Sequence, residues 1–161
     1  MNLPLNSTTG NRFMTVLVAD DDPGDQLLMR RSFEKACVDC DLRFVNDGEE
    51  ALDYLLRRGK YENPRSSPRP DVLLLDINMP KLDGRQVLGQ VKTDPQLAAI
   101  PVVILTTSDW EFDVQACYEL GCNSYLTKPV EVTDFIDLEC AHGPYRLNLV
   151  VPPPAAAESP L

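Results

Sequence analysis

Thr15-Val16-Leu17-Val18-Ala19-Asp20-Asp21-Asp22-Pro23 is a short β-rich apolar run that stops abruptly at three acids, followed by a proline suited to the first turn of a helix. A buried strand here delivers carboxylates at its tip. Val72-Leu73-Leu74-Leu75 is a second such run, continuous enough for a strand covered on both faces, and it ends at Asp76. Between them, Met29, Phe33, Ala36 and Cys37 recur at i, i+4, i+7 and i+8, which predicts one apolar helix face, and 42–45 reads as a strand. Ala51, Leu52, Leu55 and Leu56 mark another helix, and the proline-containing stretch 59–70 reads as an exposed loop insertion.

Beyond Asp76 the alternation continues. Val87, Leu88 and Val91 predict a helix, 102–105 a strand ending at Thr106-Thr107-Ser108, and Val114, Cys117 and Tyr118 a fourth helical stripe with Gly121 as its C-cap. A short strand over 124–126 and a fifth helix over 132–140 complete five βα units. Alternating β and α segments imply a parallel sheet with helices on both faces, because right-handed crossovers place them there. Ligands then bind beyond the carboxyl ends of the strands, where this chain sets Asp20, Asp21, Asp76, Thr106 and Lys128.

Composition narrows the function. A chain of 161 residues with a net charge of −10 is near the size of one domain and repels nucleic acid and anionic lipid, which favours cations and basic partner surfaces. No apolar run approaches the roughly 20 residues needed to cross a bilayer, and the polar start carries no leader pattern, so a cytoplasmic setting is expected. The five cysteines lack the spacing of a zinc site or a disulfide framework. Cys37 and Cys40 have redox-motif spacing but fall where a helix ends, and they read as ordinary thiols. With His142 as the single histidine, a histidine metal site or a Ser-His-Asp triad has one candidate to rest on.

Three clustered carboxylates repel each other and are stable mainly around a divalent cation, and all-oxygen ligation suits Mg²⁺. A carboxylate screened in this way can attack phosphorus and form an acyl phosphate, the role expected of Asp76. The Lys128 ammonium would then hold one phosphoryl oxygen while the Thr106 hydroxyl donates to another. Each residue alone is weak evidence, since an Asp at a strand end is often a helix cap. The ordered set at the ends of the first, third, fourth and fifth strands is harder to explain as caps.

Through Val16-Leu17-Val18-Ala19-Asp20-Asp21-Asp22-Pro23, Leu73-Leu74-Leu75-Asp76-Ile77-Asn78-Met79-Pro80, Asp83-Gly84, Leu105-Thr106-Thr107-Ser108 and Lys128-Pro129, the chain resembles the response-regulator receiver family over roughly 15–140. The resemblance implies a flavodoxin-like doubly wound (βα)5 fold with a five-stranded parallel sheet in the order 2-1-3-4-5. It further implies Mg²⁺ held by Asp21, Asp76 and the Asn78 backbone carbonyl, with Asp20 acting through water. Thr106 and Tyr125 would be the switch residues and Lys128–Pro129 a cis peptide. The expected role is a phosphoacceptor rather than an enzyme acting on a separate substrate, signalling by phosphorylation-dependent protein contact.

The insertion, the run from Asp76 to Arg85 and Thr106-Thr107-Ser108 look like the phytochrome-associated response regulators, a subgroup without an output domain. That implies a histidine kinase partner, phytochrome-like by resemblance, and a homodimer through the face of the fourth helix, fifth strand and fifth helix. Phe135, Leu138, His142, Tyr145 and Leu149 carry coiled-coil-like spacing for such a face, although Gly143-Pro144 should interrupt a helix and Val132, Ile136 and Cys140 instead face the core. The receiver is expected over 14–149, with 1–13 and the Pro/Ala-rich 150–161 as flexible segments. Asp22 and Asp25 read as favourable helix-dipole charges outside the site, and Trp110 reads equally as a partner contact or a helix anchor. Three other readings compete. An Asp-nucleophile phosphatase needs a general acid where Asn78 stands, a phosphate-independent module would not need the site residues, and a nucleotide- or flavin-binding domain needs a Gly-rich turn after the first strand.

Overall fold

The protein is described here by a computed structural model over residues 14–36, 40–79, 81–107, 111–134, 136–137 and 146–147. Five parallel strands, β1 (Met14–Ala19), β2 (Cys40–Val45), β3 (Val72–Asp76), β4 (Val102–Thr106) and β5 (Ser124–Thr127), form one sheet in the order β2-β1-β3-β4-β5. The order departs from chain order only between β2 and β1, which leaves β1 and β3 adjacent and their carboxyl ends side by side. The doubly wound fold expected from the alternating pattern is the fold observed.

Strand alternation divides the core into two layers. Leu17, Ala19, Leu73, Leu75 and Ile104 point to one side, where α2 (Gly48–Leu56), α3 (Gly84–Thr93) and α4 (Glu111–Glu119) contribute Ala51, Leu52, Leu55, Val87, Leu88, Val91 and Cys117. Val16, Val18, Val72, Leu74, Val103 and Leu105 point to the other, against Met29 and Phe33 of α1 (Pro23–Lys35) and Val130, Val132 and Ile136. Burial on both faces is why β1, β3 and β4 read as continuous rather than alternating apolar runs. Leu56, assigned to the apolar face of α2, is exposed, and Tyr54 is buried in its helix instead.

Helix ends follow local chemistry. Asp22 caps α1 by accepting from Gly24 N–H at 2.8 Å, with Pro23 at the first position. Asp83 and Gln86 form a reciprocal capping box on α3. After α4, Gly121 takes φ +103° while Gly121 N–H and Cys122 N–H donate to Tyr118 O and Cys117 O at 3.0 and 3.1 Å, a Schellman closure.

The stretch 59–70 is a loop most of whose residues are exposed, as expected, but it is anchored at a few points: Ser67 is buried, its hydroxyl donates to Tyr61 O at 2.7 Å, and Tyr54 OH donates to Pro68 O at 2.7 Å. Tyr61, in a 3₁₀ turn, lays its ring against Tyr54 at 5.1 Å, so two large aromatics draw the loop onto α2. One expectation is corrected: the fifth helix is absent among the described residues of 131–137. Val132–Asp134 is a 3₁₀ turn, and β6 (Ile136–Asp137) pairs antiparallel with β7 (Arg146–Leu147). Val132, Thr133 and Ile136 are β-branched, which lowers helix propensity, and Ile136 is buried on β6 instead. Ile136 and Val132 do face the core, as the alternative reading held. Phe135, Leu138, His142, Tyr145 and Leu149 lie outside the described residues, as do Cys37, Cys140, Trp110 and the segments 1–13 and 150–161.

Gly84 sets the loop after β3, because a Cβ there would stand 2.4 Å from Asp76 O and 2.7 Å from Ile77 Cα. Gly84→Ala is expected to lower stability by about 1–3 kcal/mol as an overpacked site. Gly89→Ala, whose Cβ meets nothing closer than 4.0 Å on α3, is expected to be neutral or stabilising by up to about 1 kcal/mol. Urea unfolding of the two variants checks the contrast.

Candidate functional site

The carboxyl ends of β1, β3 and β5 bring the charged residues together. Asp20 follows β1 and is 2% exposed; its backbone N–H donates to Val45 O at 3.1 Å, and its Oδ1 accepts from Asp22 N–H at 3.0 Å. Asp76 is the last residue of β3 and is 5% exposed, with Oδ1 accepting from Asn78 N–H at 3.1 Å. Asp21 is solvent-facing, yet one carboxylate oxygen from each of Asp20, Asp21 and Asp76 lies within 4.8 Å of the others. These three form the candidate metal cluster found among the described residues.

Lys128 lies one residue past the end of β5 and reaches into this cluster. Its Nζ stands 2.9 Å from Asp20 Oδ2, 3.0 Å from Asp76 Oδ2 and 2.8 Å from Asp25 Oδ2. Burial alone would lower the lysine pKa, but hydrogen bonds to Asp25, Asp20 and Asp76 outweigh it and hold the ammonium above the usual lysine range. Burial raises the Asp20 carboxyl above its ordinary value, against the opposing pull of Asp22 N–H and Lys128. The peptide joining Lys128 to Pro129 is cis.

The remaining candidates fall nearby. Thr106 is buried at the end of β4, and its carbonyl accepts Lys128 N–H at 2.8 Å. Tyr125 is half-buried on β5 and meets Tyr118 of α4 edge-on at 6.0 Å, which sets it on the side of the sheet that α4 covers. Asn78 is exposed in the turn after β3.

Asp25 stands in the first turn of α1, as the helix-dipole reading has it, and outside the metal cluster, but it also lies against Lys128, a contact the sequence reading does not include. A signal existed: Met29 and Phe33 mark the core face of α1, and stepping back four residues from Met29 reaches Asp25. Gln26 was also unmarked, and its Nε2 braces Asp20 O at 2.7 Å and Asn46 Oδ1 at 2.9 Å.

Chemically, the site is an all-oxygen donor set beside a buried ammonium. Asp20, Asp25 and Asp76 face one ammonium with Asp21 beside them, and the excess of negative charge attracts a divalent cation. Three oxygens within 4.8 Å suit octahedral Mg²⁺, whose ligands stand about 2.0–2.1 Å from the ion and so span about 3–4 Å.

Comparison with known proteins agrees with this geometry. The model of the response regulator receiver domain matches residues 16–138. The chain belongs to the receiver domain family. Response regulator Rcp1 of Synechocystis sp. is 40% identical over 149 residues, covering 92% of this chain and 99% of that protein. A crystal structure of the Mn²⁺-bound form of Rcp1 matches with a TM-score of 0.66 at 43% identity, covering 75% of this chain and 85% of that one. A structure of the phosphorylated cyanobacterial phytochrome response regulator RcpA matches with a TM-score of 0.68 at 38% identity, covering 76% and 85%. This receiver is therefore a response regulator of two-component signalling, similar to phytochrome-associated members. No helix among the described residues is long and apolar enough to cross a membrane.

Because its folded pKa is raised, Lys128 contributes stability that is complete below 10.5, its ordinary value, and lost as pH rises through the raised value. In the presence of a chelator, Lys128→Gln is expected to be less stable than wild type at pH 8 by up to about 3–5 kcal/mol, as for a broken buried pair. The gap should narrow as pH climbs above 10.5, read by urea unfolding of both proteins across pH 8–11.5.

Proposed function

We propose that this receiver, which spans nearly the whole length of its relative Rcp1, takes a phosphoryl group from a histidine kinase onto Asp76 and signals by phosphorylation-dependent protein contact. The observation that carries the reading is the convergence of Lys128 Nζ on Asp76 Oδ2, at 3.0 Å, beside the Asp20-Asp21-Asp76 cluster. Asp21 and Asp76, with the Asn78 carbonyl, would hold Mg²⁺, and Asp20 would act through a water. Bound there, Mg²⁺ supplies positive charge that screens an incoming phosphoryl group from the carboxylates.

An Asp76 carboxylate oxygen attacks phosphorus. The bond from phosphorus to the donor imidazole nitrogen breaks, and its electron pair stays on the nitrogen. Lys128 moves an ammonium hydrogen bond from Asp76 to a phosphoryl oxygen, and the Thr106 hydroxyl donates to another. The turn after β3 positions the nucleophile, because Asn78 N–H fixes Asp76 Oδ1 and leaves Oδ2 towards Lys128. Hydrolysis by water later returns the carboxylate and inorganic phosphate, so the protein promotes both gain and loss of its own modification.

The signal would leave through α4 and β5. Thr106 drawn towards the phosphoryl group opens space for Tyr125, whose edge contact with Tyr118 couples it to α4. The same surface is the proposed homodimer face, and the candidate face residues Phe135, Leu138, Tyr145 and Leu149 lie outside the described residues. A histidine kinase of phytochrome type is the proposed donor, supported by the likeness to Rcp1 and RcpA. The net charge of −10 supports a protein that binds neither nucleic acid nor anionic membrane, and a cytoplasmic setting is proposed alongside. The receiver is assigned to 14–149, flanked by 1–13 and 150–161.

Incubation with Mg²⁺ and a small acyl phosphate donor should add the mass of one phosphoryl group to the intact wild-type protein. The addition should vanish with a chelator and in Asp76→Asn. Mass that persists in Asp76→Asn, or no addition to wild type from either a small donor or phosphorylated histidine kinases, would reject the assignment.

A further inference from the structure

Asp25 is used by neither the metal set nor the transfer step set out above. Its position on the first turn of α1 is favourable for a carboxylate in itself. Yet its Oδ2 takes the closest contact with Lys128, at 2.8 Å against 2.9 Å for Asp20 and 3.0 Å for Asp76. Its side chain is 31% exposed where those of Asp20 and Asp76 are 3% and 8%, and it lies outside the three carboxylates that converge on a metal position. One ammonium thus spans two carboxylates that belong to the metal set and one that does not.

We propose that Asp25 is a positioning residue for phosphoryl transfer, a tether that keeps Lys128 at the site when Asp20 and Asp76 turn their oxygens to a divalent cation. The inference rests on the reading of Asp76 as the phosphoacceptor. A carboxylate of Asp20 or Asp76 that faces both the ammonium and a dication divides its negative charge between them, and the two cations repel each other. Asp25 offers the ammonium an anionic partner that the metal does not claim, so one N–H stays anchored while another is free for a phosphoryl oxygen.

Without that anchor the flexible four-carbon stem has somewhere else to go. A small cleft bordered by Leu28, Met29, Pro129 and Val130 opens beside Lys128 and Asp25, and Leu28 is 53% exposed at its edge. In the metal-free protein the loss acts the other way: Lys128 falls back wholly on Asp20 and Asp76 and competes with the cation for their oxygens. Asp25 therefore favours metal entry and lysine retention through the same contact.

A double-mutant cycle separates this role from a plain helix-dipole charge. The four proteins are wild type, Asp25→Asn, Lys128→Gln and the double variant. Mg²⁺ affinity is measured calorimetrically on the unphosphorylated proteins, and phosphorylation rate from a small acyl phosphate donor is measured at saturating Mg²⁺. Asp25→Asn is expected to weaken Mg²⁺ binding and slow phosphorylation by roughly three- to tenfold when Lys128 is present, the range of contacting charged pairs. In the Lys128→Gln background the same change should alter either quantity by less than about twofold, and Asp25→Glu should recover part of the loss. Equal effects in both backgrounds, or no effect in either, would overturn the tether. Failure of the phosphoacceptor reading looks different: Asp76-dependent phosphorylation is then missing from wild type itself, while the Mg²⁺ cycle still reports the coupling of Asp25 to Lys128.

Discussion

Carboxylates confined to one small, dry volume need a counter-charge, and in this chain the Lys128 ammonium is the counter-charge that the fold itself provides. At separations within 4.8 Å, the buried pair Asp20 and Asp76 repels by about 3–4 kcal/mol at an effective dielectric near 20. Lys128 stands within 3.0 Å of both and offsets that repulsion, but one positive charge cannot balance Asp20, Asp21, Asp25 and Asp76 together. The site is held together and left short of cations by the same arithmetic. A divalent ion and a phosphoryl group, arriving together, are a chemically natural way to complete it.

The rest of the molecule serves to make that confinement possible. Strands β1 and β3, adjacent and in parallel register, carry Asp20 and Asp76 to one level, with β1 buried on both sides by apolar layers. Gly84 lets α3 pack against the Asp76 carbonyl, which keeps the turn bearing Asn78 short. Ser32 of α1 accepts Val132 N–H at 2.9 Å, fixing the chain just after Lys128–Pro129 to the helix that bears Asp25. Lys128 is thereby approached from β5 and from α1 at once, and that double approach is what makes a tether on its far side possible.

Most of this was legible in the sequence because it was written in the strongest local signals. Apolar runs that end abruptly at Asp20, Asp76 and Thr106 announce buried parallel strands and place the reactive groups without any three-dimensional information. Asp25 was hidden for a physical reason: a carboxylate in the first turn of a helix has a sufficient local explanation, and its partner lies 103 positions away. The polar residues and prolines of 59–70 rightly mark a largely exposed loop, but its anchor was hidden, since the Tyr54–Tyr61 contact that holds it to α2 is tertiary. Over the described residues of 132–137 a 3₁₀ turn and a strand stand where a helix was expected, because Val132, Thr133 and Ile136 are β-branched, a propensity that apolar spacing alone does not weigh. Residues such as Tyr125 fit both a sheet aromatic and a switch, and the edge contact with Tyr118 is what gives the second role a physical route to α4.

The account stands on the acyl bond being made to one carboxylate among several that are close enough to compete. Phosphorylated protein treated with borohydride converts an aspartyl phosphate to homoserine, and peptide mass spectrometry then locates the reduced residue. Homoserine at position 76 alone, with Asp20, Asp21 and Asp25 recovered unchanged, is the result expected from the orientation of Asp76 Oδ2 towards Lys128. Homoserine at any of those three positions, or none at position 76 in protein that carries the phosphate, would contradict it.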